Sequence, residues 1–125
     1  MVKNVFLVGA GGFAGSAARY LVALAVPFAG TGFPYATFAV NLLGSFLIGF
    51  ISELALSTTL FSPETRLLLT TGFCGGFTTF STAMYETGGL MRDGEALYAS
   101  LYVAGSLAGG LLCLASGTLL AKLWQ

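Results

Sequence analysis

The sequence predicts an all-α integral membrane protein, with four transmembrane helices, a break in the third, and residues 1–125 forming a single domain. Composition comes first: 56% of residues are hydrophobic and 8% charged, against about 25% charged in soluble domains, and mean hydropathy is +0.88. Length comes second. A bilayer core needs about 20 mostly apolar residues per helix, and stretches at about 5–26, 38–56, 67–91 and 96–123 meet that need. The gaps come third, because each carries turn chemistry: Gly30, Gly32 and Pro34 in the first, Pro63 ahead of Glu64 in the second, Asp93 and Gly94 in the last.

The first span follows Lys3, as a signal peptide would, but its apolar run is long and contains Arg19, so it reads as a retained helix. Gly9, Gly11 and Ala14 fit the dinucleotide pattern G-x-G-x-x-A, yet neither a preceding strand nor an acidic residue about 20 positions on accompanies them. Gly11 with Gly15 instead forms a G-x-x-x-G, as do Gly72 with Gly76 and Gly105 with Gly109, which lets helix backbones approach closely. The second span carries Asn41, Ser45 and Ser52 on one side, and the fourth carries Tyr98, Tyr102, Ser106, Gly109, Cys113 and Ser116 on one side. Hydroxyls and amides donate hydrogen bonds, which a small anion stripped of water requires; interhelical hydrogen bonding is the alternative use for them.

The third span is the unusual one. Its middle reads Thr70-Thr71-Gly72-Phe73-Cys74-Gly75-Gly76-Phe77-Thr78-Thr79-Phe80-Ser81-Thr82. Two adjacent glycines followed by hydroxyls make a poor helix centre, since each Gly costs about 1 kcal/mol against Ala. The expectation is that the backbone leaves the α region at Gly75-Gly76 and frees carbonyls for a cation. The alternative is a continuous helix packed closely through the same glycines. Phe80 and Ala83 share one face, and Thr78 with Ser81 and Thr82 another.

Charge sets further limits. Five Lys plus Arg balance five Asp plus Glu, so no basic face gathers nucleic acid. There is no histidine, and Cys74 and Cys113 lie in apolar stretches without metal-ligand spacing. No catalytic constellation is present, and an enzyme is not expected. Lys3, Arg66 and Lys122 fall on the side of the termini and Arg92 on the other, a bias too small to dictate orientation strongly, which leaves both a fixed topology and insertion in both orientations open. Arg19 and Glu86 lie inside spans, where a charge costs at least about 2.5 kcal/mol. Arg19 either attracts anions to a vestibule or caps helix-end carbonyls across a subunit interface; Glu86 either serves function or reaches interfacial water.

Gly11 to Tyr20 (GGFAGSAARY), Thr37 to Leu42 (TFAVNL) and Gly72 to Thr82 (GFCGGFTTFST) together resemble the small bacterial fluoride channels of the Fluc (CrcB) family, over the whole length of the chain. That resemblance implies an antiparallel, dual-topology dimer in the lipid bilayer of the inner or plasma membrane, with two pores at its interface. It implies a fluoride pathway of Asn41, Phe80, Ser81, Thr82, Tyr102 and Ser106, and a structural sodium ion held by the main-chain carbonyls of Gly75 and Thr78. Arg19 and Glu86 match the family's charged residues in spans one and three. Two positions depart: Ala83 stands where a second phenylalanine is common, and Gly110 where a hydroxyl is often found. A homodimer is favoured, with a heterodimer formed with a paired homologue as the alternative. The resemblance thus implies passive, fluoride-selective export. The competing readings are a small multidrug-type proton-coupled exporter, which needs a carboxylate in span one, and a non-conducting partner subunit.

Overall fold

The computed structural model describes residues 1–26 and 32–125. Part of the first predicted gap, including Gly30, therefore lies outside the described residues. Among the described residues three unbroken helices are long and apolar enough to cross a membrane: α1 (Val2–Ala25), α2 (Tyr35–Ser57) and α6 (Ala96–Trp124). A fourth crossing is assembled from α3 (Pro63–Leu67), a π-helical segment (Leu68–Cys74), α4 (Gly75–Phe77) and α5 (Ser81–Arg92). Each predicted span is present, with ends within a few residues of those the apolar runs suggest, and at α3 a capping residue sets the start. That residue is Ser62: its Oγ accepts the Thr65 amide, and Pro63 occupies the first helical turn.

Neighbouring crossings pack in two glycine-mediated pairs. Lys3 Nζ lies 3.7 Å from Glu64 Oε1, so α1 and the broken crossing start at the same end and run in parallel. A Cβ on Gly11 would strike the Leu68 carbonyl, one on Gly15 the Phe73 carbonyl, and one on Gly76 the backbone of Gly12. The predicted motifs Gly11–Gly15 and Gly72–Gly76 are thus the two halves of one interface. The other pair is α2 with α6, also parallel. Phe38 sits at Gly105 and Leu42 at Gly109, while the Leu114 carbonyl abuts Gly49 and the Phe46 carbonyl abuts Gly117. At its far end Gln125 Nε2 donates to Ser57 Oγ at 2.7 Å, which ties the C-terminus to the end of α2. Both termini therefore lie at one end of the bundle, as an even number of crossings requires.

The break differs from expectation in position. Gly75 keeps helical angles (φ −62°, ψ −36°), and the chain turns extended only at Thr78 (φ −88°, ψ 159°) before α5 begins at Ser81. The expectation of a break at Gly75-Gly76 is corrected accordingly. Gly76 is retained for closeness to α1, not for backbone freedom, and the extended angles at Thr78 suit a β-branched residue without strain. Backbone freedom matters elsewhere: Gly94, at φ +75°, makes the turn between α5 and α6.

A small internal cluster of Ala83, Leu90, Ala99 and Tyr102, flanked by Phe38 and Tyr98, closes the end opposite the termini. Elsewhere large apolar side chains such as Phe6, Phe13, Leu24 and Leu123 face outward. Such a surface is expected of a protein whose solvent is lipid.

Candidate functional site

The break exposes peptide groups in mid-crossing, and side chains from neighbouring helices satisfy them. Asn41 on α2 does most of this. Its Nδ2 donates to the Thr79 carbonyl at 3.0 Å and its Oδ1 accepts the Thr79 amide at 2.8 Å, a two-sided grip on one residue. Thr79 was not singled out by the sequence reasoning; its signal was only its place in a Thr-Thr pair after two glycines. Its Oγ1 accepts the Thr82 amide at 3.3 Å and so helps start α5.

These diversions leave two carbonyls without their helical donors. The Thr79 amide turns to Asn41 rather than to Gly75 four residues back, and the Thr82 amide turns to Thr79 Oγ1 rather than to the Thr78 carbonyl. Thr78 itself remains tied to the preceding turn, its amide and Oγ1 both donating to the Cys74 carbonyl at 3.0 and 2.8 Å. The Gly76 carbonyl, in the last turn before the break, accepts from Arg19 Nε at 3.1 Å. Arg19 is therefore a cationic cap on a helix C-terminus, where the dipole favours it. This Arg19 contact forms within the chain.

Glu86 is held by two hydroxyls from neighbouring helices. Thr37 Oγ1 on α2 donates to its Oε2 at 3.0 Å, and the Tyr102 hydroxyl on α6 donates to its Oε1 at 2.9 Å. One carboxylate thus joins three elements beside Tyr102, which is 1% exposed.

Between α2, the π-helical segment, α5 and α6 lies an open cavity of about 710 Å³. It gathers Asn41, Phe80, Tyr102, Ser106, Gly75 and Thr78 of the predicted site. Ser81 and Thr82 are not on its wall; the turn from the extended segment into α5 sends them elsewhere. Phe80 projects outward, 76% exposed in the single chain. Ser106 Oγ is buried without a hydrogen-bond partner among the described residues. Near the missing second ring, Ala83 is packed into the Tyr102 cluster, Met84 lines the cavity, and Tyr85 faces away with Arg92 over its ring. Among the described residues no group of three or more His, Cys, Asp or Glu could hold a metal ion.

Residues 6–118 match the model of the family described as CrcB-like protein, Camphor Resistance (CrcB). The chain belongs to the CrcB family. It is 92% identical over 125 residues to a fluoride-specific ion channel FluC of Chlorobaculum tepidum, covering 100% of this chain and 99% of that one. A protein of the same name from Chlorobium phaeobacteroides strain BS1 is 66% identical over 96% of this chain and 94% of its own length. Another from Geobacter sulfurreducens is 53% identical over 90% of each chain. CrcB membership together with the long apolar helices makes this a multi-pass membrane protein.

Proposed function

We propose that this chain is a fluoride-selective channel that lets fluoride leave the cell passively, and is not an enzyme. The names of its CrcB relatives support the function. Within the structure, the observation that carries it is a mid-crossing cavity whose wall holds uncommitted hydrogen-bond donors: the buried hydroxyl of Ser106 and the second amide hydrogen of Asn41. A dehydrated anion needs such donors, and the Phe80 ring edge can add a positive partner. Fluoride that enters an acidified cell as neutral HF is trapped as the anion. A membrane potential then drives it outward with about 2.3 kcal/mol per charge per 100 mV, so a passive pore is enough.

The finer reading is a homodimer of antiparallel subunits in the inner or plasma membrane, with Phe80 and the open side of the cavity turned toward the partner. Sodium fits the break as a structural ion. The Gly75 and Thr78 carbonyls have each lost their helical donor, and unwound carbonyls are the groups that commonly hold sodium in membrane helices. Met84 lines the cavity wall beside Ala83, which supports the homodimer over a heterodimer whose partner supplies a ring. The proton-coupled exporter is disfavoured because α1 carries no carboxylate and Glu86 is occupied by Thr37 and Tyr102. Fluoride efflux from liposomes containing the purified chain, with chloride as the competing anion, tests the reading: rapid fluoride loss with chloride retained is expected, and no fluoride loss from dimeric protein would overturn it.

A further inference from the structure

Several hydroxyls in the helices of this protein share one device. Ser45, Thr70, Thr78, Thr87, Ser100 and Ser116 each donate to the carbonyl four residues earlier, at 2.7–2.8 Å. That bond satisfies a polar side chain where water is scarce. Thr71 does not use it: exposed in the single chain, in the π-helical segment on the cavity wall, its hydroxyl has no partner among the described residues.

Its position gives this meaning. Thr71, Cys74, Gly75 and Thr78 recur at i, i+3, i+4 and i+7 and all line the cavity. Seven residues at about 1.5 Å each place Thr71 about 10 Å from Thr78 along the axis, toward the end that holds both termini. Asn41 and Thr79 lie at the break, while Tyr102 and Glu86 lie beyond it toward the opposite end. On the terminal side the other wall residues cannot donate: the Ser45 and Thr70 hydroxyl protons are committed, and Gly44 and Ile48 offer none. An anion moving that way from the break would otherwise meet a stretch of wall with only the weak Cys74 thiol to replace its water.

We propose that Thr71 is a pathway residue that donates its hydroxyl to the fluoride ion on the terminal side of the break. The inference rests on the fluoride-channel reading. The test measures fluoride efflux from liposomes of the parent, Thr71→Val, Thr71→Ser and, as a control, Ser116→Ala, whose hydroxyl is tied to Leu112 away from the cavity. Valine keeps the shape and removes the donor, so Thr71→Val should slow efflux about tenfold while melting at the parent temperature. Thr71→Ser should stay within about twofold of the parent, as should the control. Efflux from Thr71→Val at the parent rate, or equal loss in Thr71→Ser, would overturn the proposal while leaving the channel reading intact. A parent that fails to release fluoride would bring down the channel reading, and this inference with it.

Discussion

Asn41 holds the Thr79 peptide from both sides, donating to its carbonyl at 3.0 Å and accepting its amide at 2.8 Å. A side-chain amide carries its donor and acceptor on separate atoms and can therefore serve both groups of one peptide unit, and it does so where the third crossing gives up its own hydrogen-bond ladder. The residue expected from sequence to face the ion is therefore also the one that holds the break in shape.

Asn41→Asp separates these roles poorly, and its effect should be large. A carboxylate still accepts the Thr79 amide but cannot donate to the carbonyl, and it places negative charge on an anion path. Fluoride efflux should be abolished, and stability should fall by about 1–3 kcal/mol from the orphaned carbonyl. Liposome flux and thermal melting in detergent check the two parts; parental efflux would make Asn41 purely structural.

Glu86→Ala should destabilise more than Glu86→Gln. Alanine leaves the Thr37 and Tyr102 hydroxyls without an acceptor inside the bundle, at about 1–3 kcal/mol for each buried orphan. Glutamine retains one acceptor oxygen and should recover part of the loss. Equal melting temperatures for the two variants would show that water or a rearranged neighbour takes over.

Gly15→Ala tests the interface between α1 and the broken crossing. The added methyl would strike the Phe73 carbonyl, which belongs to backbone and cannot rotate away. Overpacking of this kind costs about 1–3 kcal/mol or more. Gly9→Ala, in the same helix with nothing near its Cβ, should be neutral or stabilising by up to about 1 kcal/mol. Melting curves of the pair decide, and a Gly15→Ala protein as stable as Gly9→Ala would refute the packing argument.

Ala83→Phe should not improve conduction. Ala83 is only 5% exposed, packed with Leu90, Ala99 and Tyr102, and Met84 already lines the cavity beside Phe80. A ring at position 83 must displace Tyr102 or intrude on the cavity, so the expected result is slower fluoride efflux and a loss of about 1–3 kcal/mol in stability. Faster efflux or sharper rejection of chloride would show instead that a gap exists there for a ring to fill.

Much of this was legible in the residues alone. Four apolar runs of membrane length, short gaps with turn residues and three G-x-x-x-G pairs specify a tight helical membrane bundle, because hydropathy and small-residue spacing are local properties. The same holds for the presence of a weak point between Gly72 and Thr82. Its location was not legible: Gly75 and Gly76 permit both a break and a close approach, and only the backbone of Gly12 pressed against Gly76 shows that they serve the second. The partners of the polar groups were likewise decided in three dimensions. Arg19 meets Gly76, 57 residues away in sequence, Thr37 meets Glu86 49 away, and Asn41 meets Thr79 38 away. No helical period encodes such pairs. The sequence states which groups must be satisfied in a medium without water, and the packing of the four crossings selects which neighbour satisfies each one, leaving Ser106 and Thr71 as the hydroxyls on the cavity wall that make no hydrogen bond among the described residues.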